Sequence, residues 1–290
     1  MLLNKFGIRR ILTPKQLSIE IGVPVDILLE FSKTAPKHYH PFLRKRDGKI
    51  RKIANPSKPM KAIQAKILRR LLNLVKLPDE IYGARKKRDI KQNASVHLRQ
   101  RALVTIDIRD CFPSVSHKRI FRLFREEFKY SKEVASILTK LTTYRGSLPQ
   151  GGVTSSMLLN ILFIPLCSKI RSLTLPGNNK LTFWVDDIAF SGKKAFLLCE
   201  GVIRELQKFG FRTRSRKVKV MMSGHRQVLT GVVTNYKISV PKEKIEKYLK
   251  EARDPHAKQT TITGRLNFVK NINPIQMKRI CKRLKVPQLI

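Results

Sequence analysis

Apolar residues recur at two spacings along this chain, and the switches between them mark the elements. Thr13-Pro14 pairs a capping residue with a proline, a helix start, and Leu17 and Ile21 follow on one face before Gly22 breaks the run. Val25, Leu28 and Leu29 predict a second short helix. The pair fits a helix-turn-helix that reads DNA or an ordinary helical hairpin, and the commonness of helix–turn–glycine patterns favours the hairpin. Over 39–56, two extended runs flank the turn signal Asp47-Gly48, predicting a β-hairpin with Arg51, Lys52 and Ile53 on its second strand. Ile63, Ile67, Leu68, Leu71, Leu72 and Val75 predict a helix over roughly 61–75.

Further on, 102–108 reads as a short apolar strand carrying Asp107 at its end, and 121–128 and 134–141 read as helices. A loop at 148–152 precedes a mostly apolar helix over 154–170, buried on several sides. Two short strands over 181–191 meet at Asp186-Asp187. An amphipathic helix over 195–209 stops at Gly210, and 217–220 and 227–233 read as strands. The remainder, from about 236, is basic and helical, interrupted at Pro255 and Pro274. No internal repeat or low-complexity linker divides the chain. This order of elements predicts an α+β core with added basic segments.

Charge narrows the partner. The chain has 290 residues, and 61 Lys+Arg against 20 Asp+Glu give 61 − 20 = +41, while 42% of residues are hydrophobic. A core of that size with that charge reads as a folded protein whose main partner is a polyanion, nucleic acid first and an anionic membrane second. No stretch approaches the ~20 consecutive apolar residues that span a bilayer. Residues 1–10 lack the apolar run of a signal peptide. The expectation is a cytoplasmic protein with no membrane partner. Cys111, Cys167, Cys199 and Cys281 are scattered, which argues for buried reduced thiols over a zinc site or a disulfide framework.

In so basic a chain, clustered acids stand out. Asp107 follows Leu103, Val104 and Ile106, and Asp186-Asp187 lie between Phe183-Trp184-Val185 and Ile188-Ala189-Phe190. Carboxylates sharing a pocket repel unless cations neutralise them. Magnesium takes oxygen ligands from one or two carboxylates plus substrate phosphates. Two such ions about 3.5–4 Å apart activate an attacking hydroxyl and stabilise a leaving pyrophosphate. Taken singly, an Asp-Asp pair is equally a solvated hairpin tip and a lone Asp after a strand is commonly a helix cap.

The joint order is more specific. Val104-Thr-Ile-Asp107-Ile-Arg-Asp-Cys-Phe112, then Leu148-Pro-Gln-Gly-Gly-Val-Thr154-Ser-Ser, then Phe183-Trp-Val-Asp186-Asp187 resembles the palm of reverse transcriptases: an aspartate strand, an LPQG-type loop and a YxDD-type hairpin. Asn93-Ala-Ser-Val-His97 and Leu229-Thr-Gly231 resemble the NAxxH and VTG segments of bacterial retron reverse transcriptases. The resemblance runs from about residue 14 to 290. Three positions depart from the family pattern: Trp184 stands where Tyr is usual, Ser155-Ser156 where Ser-Pro is usual, and Leu229 where Val is usual. None of these removes an expected metal ligand.

The resemblance implies a right-hand polymerase, its palm an antiparallel sheet with helices: a helical segment 1–38, fingers with part of the palm 39–100, palm 101–235 and basic helical thumb 236–290. It implies Asp107, Asp186 and Asp187 as catalytic residues and, with the Ile108 carbonyl, as ligands of a two-ion Mg²⁺ site. It implies Phe112 as a gate against the 2′-hydroxyl, Gln150 and Gly151 lining the nucleotide pocket, and Arg51, with Lys52, clamping the triphosphate. Lys217 is the implied acid near the pyrophosphate, with Arg216 and Lys219 as competitors. For Asn93 and His97, the residues alone suggest satisfied structural positions, and the family suggests RNA handling. The implied activity is copying of a structured non-coding RNA from dNTPs into a branched RNA–DNA hybrid (msDNA) primed by a guanosine 2′-hydroxyl. The implied setting is antiphage defence beside a separate effector protein. Rival readings are a group II intron-like or diversity-generating reverse transcriptase, a non-catalytic structured-RNA-binding protein and, on residues 13–29 alone, a DNA-binding regulator.

Overall fold

The computed structural model describes residues 3–46, 49–214, 218–254 and 256–284. Helices α1 (Pro14–Ile21) and α2 (Val25–Lys33) come first, then a hairpin of β1 (Tyr39–Arg46) and β2 (Lys49–Pro56), then α3 (Lys58–Arg70) and α4 (Ile90–Ser95). Strand β3 (Ala102–Asp107) is followed by α5 (Cys111–Ser114), α6 (His117–Arg122), α7 (Lys132–Thr142) and α8 (Ser155–Thr174). Next come β4 (Lys180–Trp184), β5 (Asp187–Gly192), α9 (Cys199–Lys208), β6 (Lys219–Met222), β7 (Val228–Leu229) and β8 (Val232–Val233). The chain continues with α10 (Lys242–Ala252), α11 (Gln259–Ile272) and α12 (Pro274–Leu284). This is the α+β inventory that the pattern predicts.

The chain forms two compact units. One contains 1–85, 108–169 and 205–212; the other contains 86–107, 170–204 and 213–290. In the first, α2 packs on α7, and α1 packs on α2 and α3. Thr13 Oγ1 accepts from the Gln16 N–H and Gly22 closes α1 at φ +66°, so the capping residue and glycine act as their types predict. In the second, an antiparallel sheet runs in the order β4-β5-β3-β6. Strands β3 and β5 are central and almost wholly buried, which explains why apolar residues fall on both of their faces. The C-terminal helices close over their own core of Val240, Leu249, Leu266, Val269 and Ile280, which also takes in Ala94 of α4.

Several elements differ from expectation for local reasons. The helix over 61–75 ends at Arg70 and tightens into a 3-10 turn at Leu72–Leu74. Leu71 and Leu72 are both buried while Leu74 is exposed, an arrangement one straight helical face does not give. The helix over 121–128 starts earlier, at His117, and becomes a single π turn at Leu123–Glu127, closed by Phe128 N–H to the Leu123 carbonyl at 3.1 Å. That extra residue brings Phe124, Phe128 and Tyr130 into one buried aromatic cluster. The strand read over 227–233 is instead two tiny strands, Val228 against Val233 and Leu229 against Val232, joined by Thr230-Gly231 at φ +46° and +83°. Two positive φ values are the mark of a type I′ turn. Pro274 begins α12 rather than interrupting a helix. The amphipathic helix of 195–209 begins as a 3-10 turn, Ala195–Leu198, before α9.

One helix bears on the expectation that no stretch spans a bilayer. Ser155–Gly177 is long and apolar enough, by length and composition, to cross a bilayer, and half of its apolar window is buried inside the protein. Ser156, Asn160 and Ser168 interrupt the apolar run, so a count of consecutive residues passes over it. Of the four thiols, Cys111, Cys167 and Cys281 are buried and Cys199 half-buried, and none is in a disulfide. The Asp47-Gly48 turn, Lys217, Arg216 and Pro255 lie outside the described residues.

Candidate active site

The acidic residues converge through strand register. Asp107, the last residue of β3, pairs directly with Asp187, the first of β5. Trp184 pairs with the same Asp187 across the β4–β5 hairpin, leaving Val185 and Asp186 as a two-residue turn. Residues directly opposite in an antiparallel pair share a face, and like charges so placed destabilise the sheet. Val185 takes φ +57°, a strained region for a β-branched residue. Strain of this kind gathers at functional turns, where the surrounding structure over-determines the backbone.

A cation stands against this pair. Arg214 Nε lies 3.7 Å from Asp107 Oδ2, and the Arg214 N–H donates to the Asp107 carbonyl at 3.3 Å. Among the described residues, no group of three or more His, Cys, Asp or Glu is gathered tightly enough to hold a metal. The set is therefore an opposed pair, Asp107 and Asp187, with Asp186 in the adjoining turn. All donors are carboxylate oxygens, the chemistry that a hard divalent cation takes. Ile108 is buried directly after the strand.

The NAxxH segment supports this sheet from inside. Asp89 and Gln92 start α4 with a reciprocal capping box, Gln92 N–H to Asp89 Oδ1 at 2.7 Å and Asp89 N–H to Gln92 Oε1 at 3.1 Å. His97 is fully buried, its Nδ1 2.7 Å from Ser191 Oγ on β5 and its Nε2 2.9 Å from Thr182 Oγ1 on β4. A neutral imidazole has one donor and one acceptor, so one hydroxyl accepts and the other donates. Burial pushes the His97 pKa down to about 3. His97 thus spans both strands of the hairpin that presents Asp186 and Asp187. Asn93 is fully buried as well, and neither of its side-chain polar atoms has a hydrogen-bond partner among the described residues. Neither residue has surface for direct contact with RNA, so any part they take in handling it is indirect, through the sheet they support.

The remaining expected pocket residues lie in the first unit. Residues 148–152 run beside β2, with the Ala54 N–H donating to the Gln150 carbonyl at 2.9 Å. Gly151 sits at φ +120°, where a Cβ would lie 3.0 Å from both the Ala54 carbonyl and Ile53 Cγ2. A Cβ on Gly152 would lie 2.5 Å from Ser155 Oγ. Side chains alternate along a strand, so Arg51 shares the Ile53 face that meets Gly151, and Lys52 takes the opposite face. Arg51 is half-buried and Lys52 exposed, as this predicts. Across the hairpin Arg44 pairs with Arg51 on the same face. Phe112 is half-buried on α5, whose start at Asp110 has φ +47°.

Three residues here escape a motif reading. Gln64 is fully buried and cross-links the loop: its Nε2 donates to Tyr39 Oη at 2.7 Å and to the Leu141 carbonyl at 2.8 Å, and its Oε1 accepts from the Val153 N–H at 2.9 Å. Its signal is a polar residue inside the apolar stripe of Ile63 and Ile67. Ser155 Oγ donates to the Pro149 carbonyl at 2.7 Å, so the serine before the departing Ser156 pins the same loop. Arg214 is the third, one member of a basic run from 212 to 219 that composition alone does not resolve.

Comparison with known proteins meets this geometry from outside. The family described as "Reverse transcriptase (RNA-dependent DNA polymerase)" matches residues 43–264. Retron Mx65 reverse transcriptase of Myxococcus xanthus is 28% identical, over 98% of this chain and 74% of that protein. Retron Ec86 reverse transcriptase of Escherichia coli is 26% identical, over 83% of this chain and 79% of that protein. Among solved structures, apo telomerase from Candida tropicalis, truncated of its C-terminal domain, superposes with a TM-score of 0.51 at 14% identity, over 76% of this chain and 61% of that one. Telomerase from the same organism with a fragment of telomeric RNA gives a TM-score of 0.52 at 13% identity, over 90% of this chain and 59% of that one. At those identities the likeness is one of fold: the α+β right-hand polymerase.

Proposed function

This chain belongs to the reverse transcriptase family and is an RNA-directed DNA polymerase; from that premise, we propose that it is of retron type and copies part of a structured non-coding RNA into DNA. The observation that carries the reading is the direct pairing of Asp107 with Asp187, beside the turn that holds Asp186, in a chain of net charge +41. Its divisions are a helical segment at 1–38, fingers at 39–100, palm at 101–235 and thumb at 236–290. The two compact units cut across these divisions.

Asp107, Asp186 and Asp187, with the Ile108 carbonyl, would hold Mg²⁺. Such ions supply activation of the attacking hydroxyl and charge compensation on the leaving pyrophosphate. The chain's own residues do the rest. Phe112 presents a flat ring that excludes a 2′-hydroxyl and so selects dNTPs. Gln150 and Gly151 border the nucleotide, and Gln64 and Ser155 fix that border. Arg51 neutralises the triphosphate from the Gly151 face of the hairpin, where a cation offsets charge developing on the leaving group. Lys217 gives a proton to the pyrophosphate. The basic C-terminal helices meet phosphates without reading sequence, and the shape of the RNA supplies specificity.

The retron reading adds a start and a setting. Synthesis begins from a guanosine 2′-hydroxyl within the RNA and yields a branched RNA–DNA hybrid. The enzyme works in the bacterial cytoplasm with a separate effector protein, in antiphage defence. The likeness to named retron enzymes and the Asn93–His97 and Leu229–Gly231 segments support this over other reverse transcriptases.

The test is the nucleic acid that co-purifies with the protein expressed from its native locus, beside an Asp186→Ala/Asp187→Ala control. A discrete DNA covalently joined to RNA, absent from the control, is the expected result. RNA alone in both samples overturns the retron reading. Primer extension with Mg²⁺ then separates a reverse transcriptase with another primer from a non-catalytic RNA-binding protein.

A further inference from the structure

Arg214 belongs to none of the motifs, yet the fold sets its cation against the acidic strand end. Its backbone N–H holds the Asp107 carbonyl at 3.3 Å, which ties the root of the side chain to β3. Its Nε stands 3.7 Å from Asp107 Oδ2, with the arginine side chain 36% exposed and the aspartate side chain 19% exposed. The root is therefore tied to β3, and the side chain is partly open to solvent.

The charges explain why a cation belongs there. Asp107 and Asp187 oppose each other directly, and Asp186 adjoins them in the turn. Carboxylates this close repel each other, and a cation beside them offsets that repulsion. A guanidinium supplies a positive charge and a planar set of N–H donors for a carboxylate. A divalent ion arriving at the same oxygens brings a larger charge and repels a neighbouring guanidinium.

We propose that Arg214 is a resident counter-cation of Asp107: it holds Asp107 in the metal-free protein and competes with a divalent cation for that carboxylate. The proposal rests on the polymerase reading of the three aspartates. Arg214 is a positioning residue in this role. It sets the metal concentration at which the site loads and keeps the aspartates in place until then.

The experiment measures Mn²⁺ binding to the full chain without nucleotide, from the electron paramagnetic resonance signal of free Mn²⁺, at constant ionic strength. Wild type is compared with Arg214→Met, Arg214→Lys and Asp186→Ala/Asp187→Ala. Arg214→Met should tighten Mn²⁺ binding by at least about fivefold, the low end of a coupling between neighbouring sites. Arg214→Lys, which keeps the charge, should stay close to wild type. Thermal midpoints give a second readout: Arg214→Met should melt below wild type without Mn²⁺, and saturating Mn²⁺ should close that gap. An equal gap with and without the ion, or unchanged Mn²⁺ affinity in a folded Arg214→Met, makes Arg214 a structural residue only and overturns the proposal. If the aspartate double variant binds Mn²⁺ as wild type does, the acidic site itself is misassigned, and the proposal falls with the reading it rests on.

Discussion

His97 links acid stability to the catalytic hairpin. Its ring is buried between Thr182 on β4 and Ser191 on β5, and burial lowers its pKa from 6.5 to about 3. The unfolded chain therefore takes up a proton below pH 6.5, while the folded chain refuses it until about pH 3. Stability is fully present above 6.5, falls with falling pH through that window, and levels off below it. Each pH unit costs about 1.4 kcal/mol, so about pH 5, roughly 1.5 units below the unfolded value, costs about 2 kcal/mol from this residue alone. For a chain of this size that is a drop in thermal midpoint of roughly 4–8 °C. The assay is a set of melting curves between pH 7.5 and 5 for wild type and His97→Gln. The glutamine variant starts lower, because a buried hydrogen bond is disturbed, but it should lose less on acidification. Parallel pH profiles for the two proteins would refute the reasoning, since the slope would then arise elsewhere.

Three further outcomes follow from the site. Arg51→Ala should raise the KM for dNTP by about tenfold or more, the worth of a charge-assisted contact, while Lys52→Ala on the opposite face stays within about twofold in steady-state primer extension. Gly152→Ala places a Cβ 2.5 Å from Ser155 Oγ and should displace the 148–152 loop, again raising the KM for dNTP; adding Ser155→Ala should restore part of the loss. Phe112→Ala should admit ribonucleotides more readily, and an unchanged ratio of rNTP to dNTP incorporation in competition assays would remove its gate role.

The acidic residues are legible from sequence because their setting is costly. A carboxylate at the end of Leu103–Ile106, and two between Phe183 and Ile188, have no place in a simple apolar core. The hairpin at 39–56 is equally legible, and the period of a strand is enough to part Arg51 from Lys52. Other features depend on tertiary context. Val228, Leu229, Val232 and Val233 read as one strand because Thr230 is a poor turn residue, and only its positive φ beside Gly231 shows the reversal. Gln64 needs partners 25 and 77 residues away, on Tyr39 and Leu141, before its burial makes sense. Arg214 is indistinguishable from Arg212 and Lys219 until β3 picks it out. His97 shows the opposite case: its type and spacing suggest a structural role, and the two hydroxyls supply it.

The threading of the chain bears on how the protein is made. The polypeptide passes from one compact unit to the other at 85/86, 107/108, 169/170, 204/205 and 212/213. A ribosome therefore cannot deliver either unit as a finished block. Strand β3 emerges with neither neighbour: β5 ends at Gly192, and β6 ends at Met222, 222 − 107 = 115 residues after Asp107. At about 5–20 residues per second, that apolar strand waits roughly 6–23 s for its last partner. Chaperone demand during translation should be high for so small a protein. A split version cut at 107/108, 169/170 or 204/205 would leave both units incomplete in both fragments, so complementation between fragments would require them to fold together.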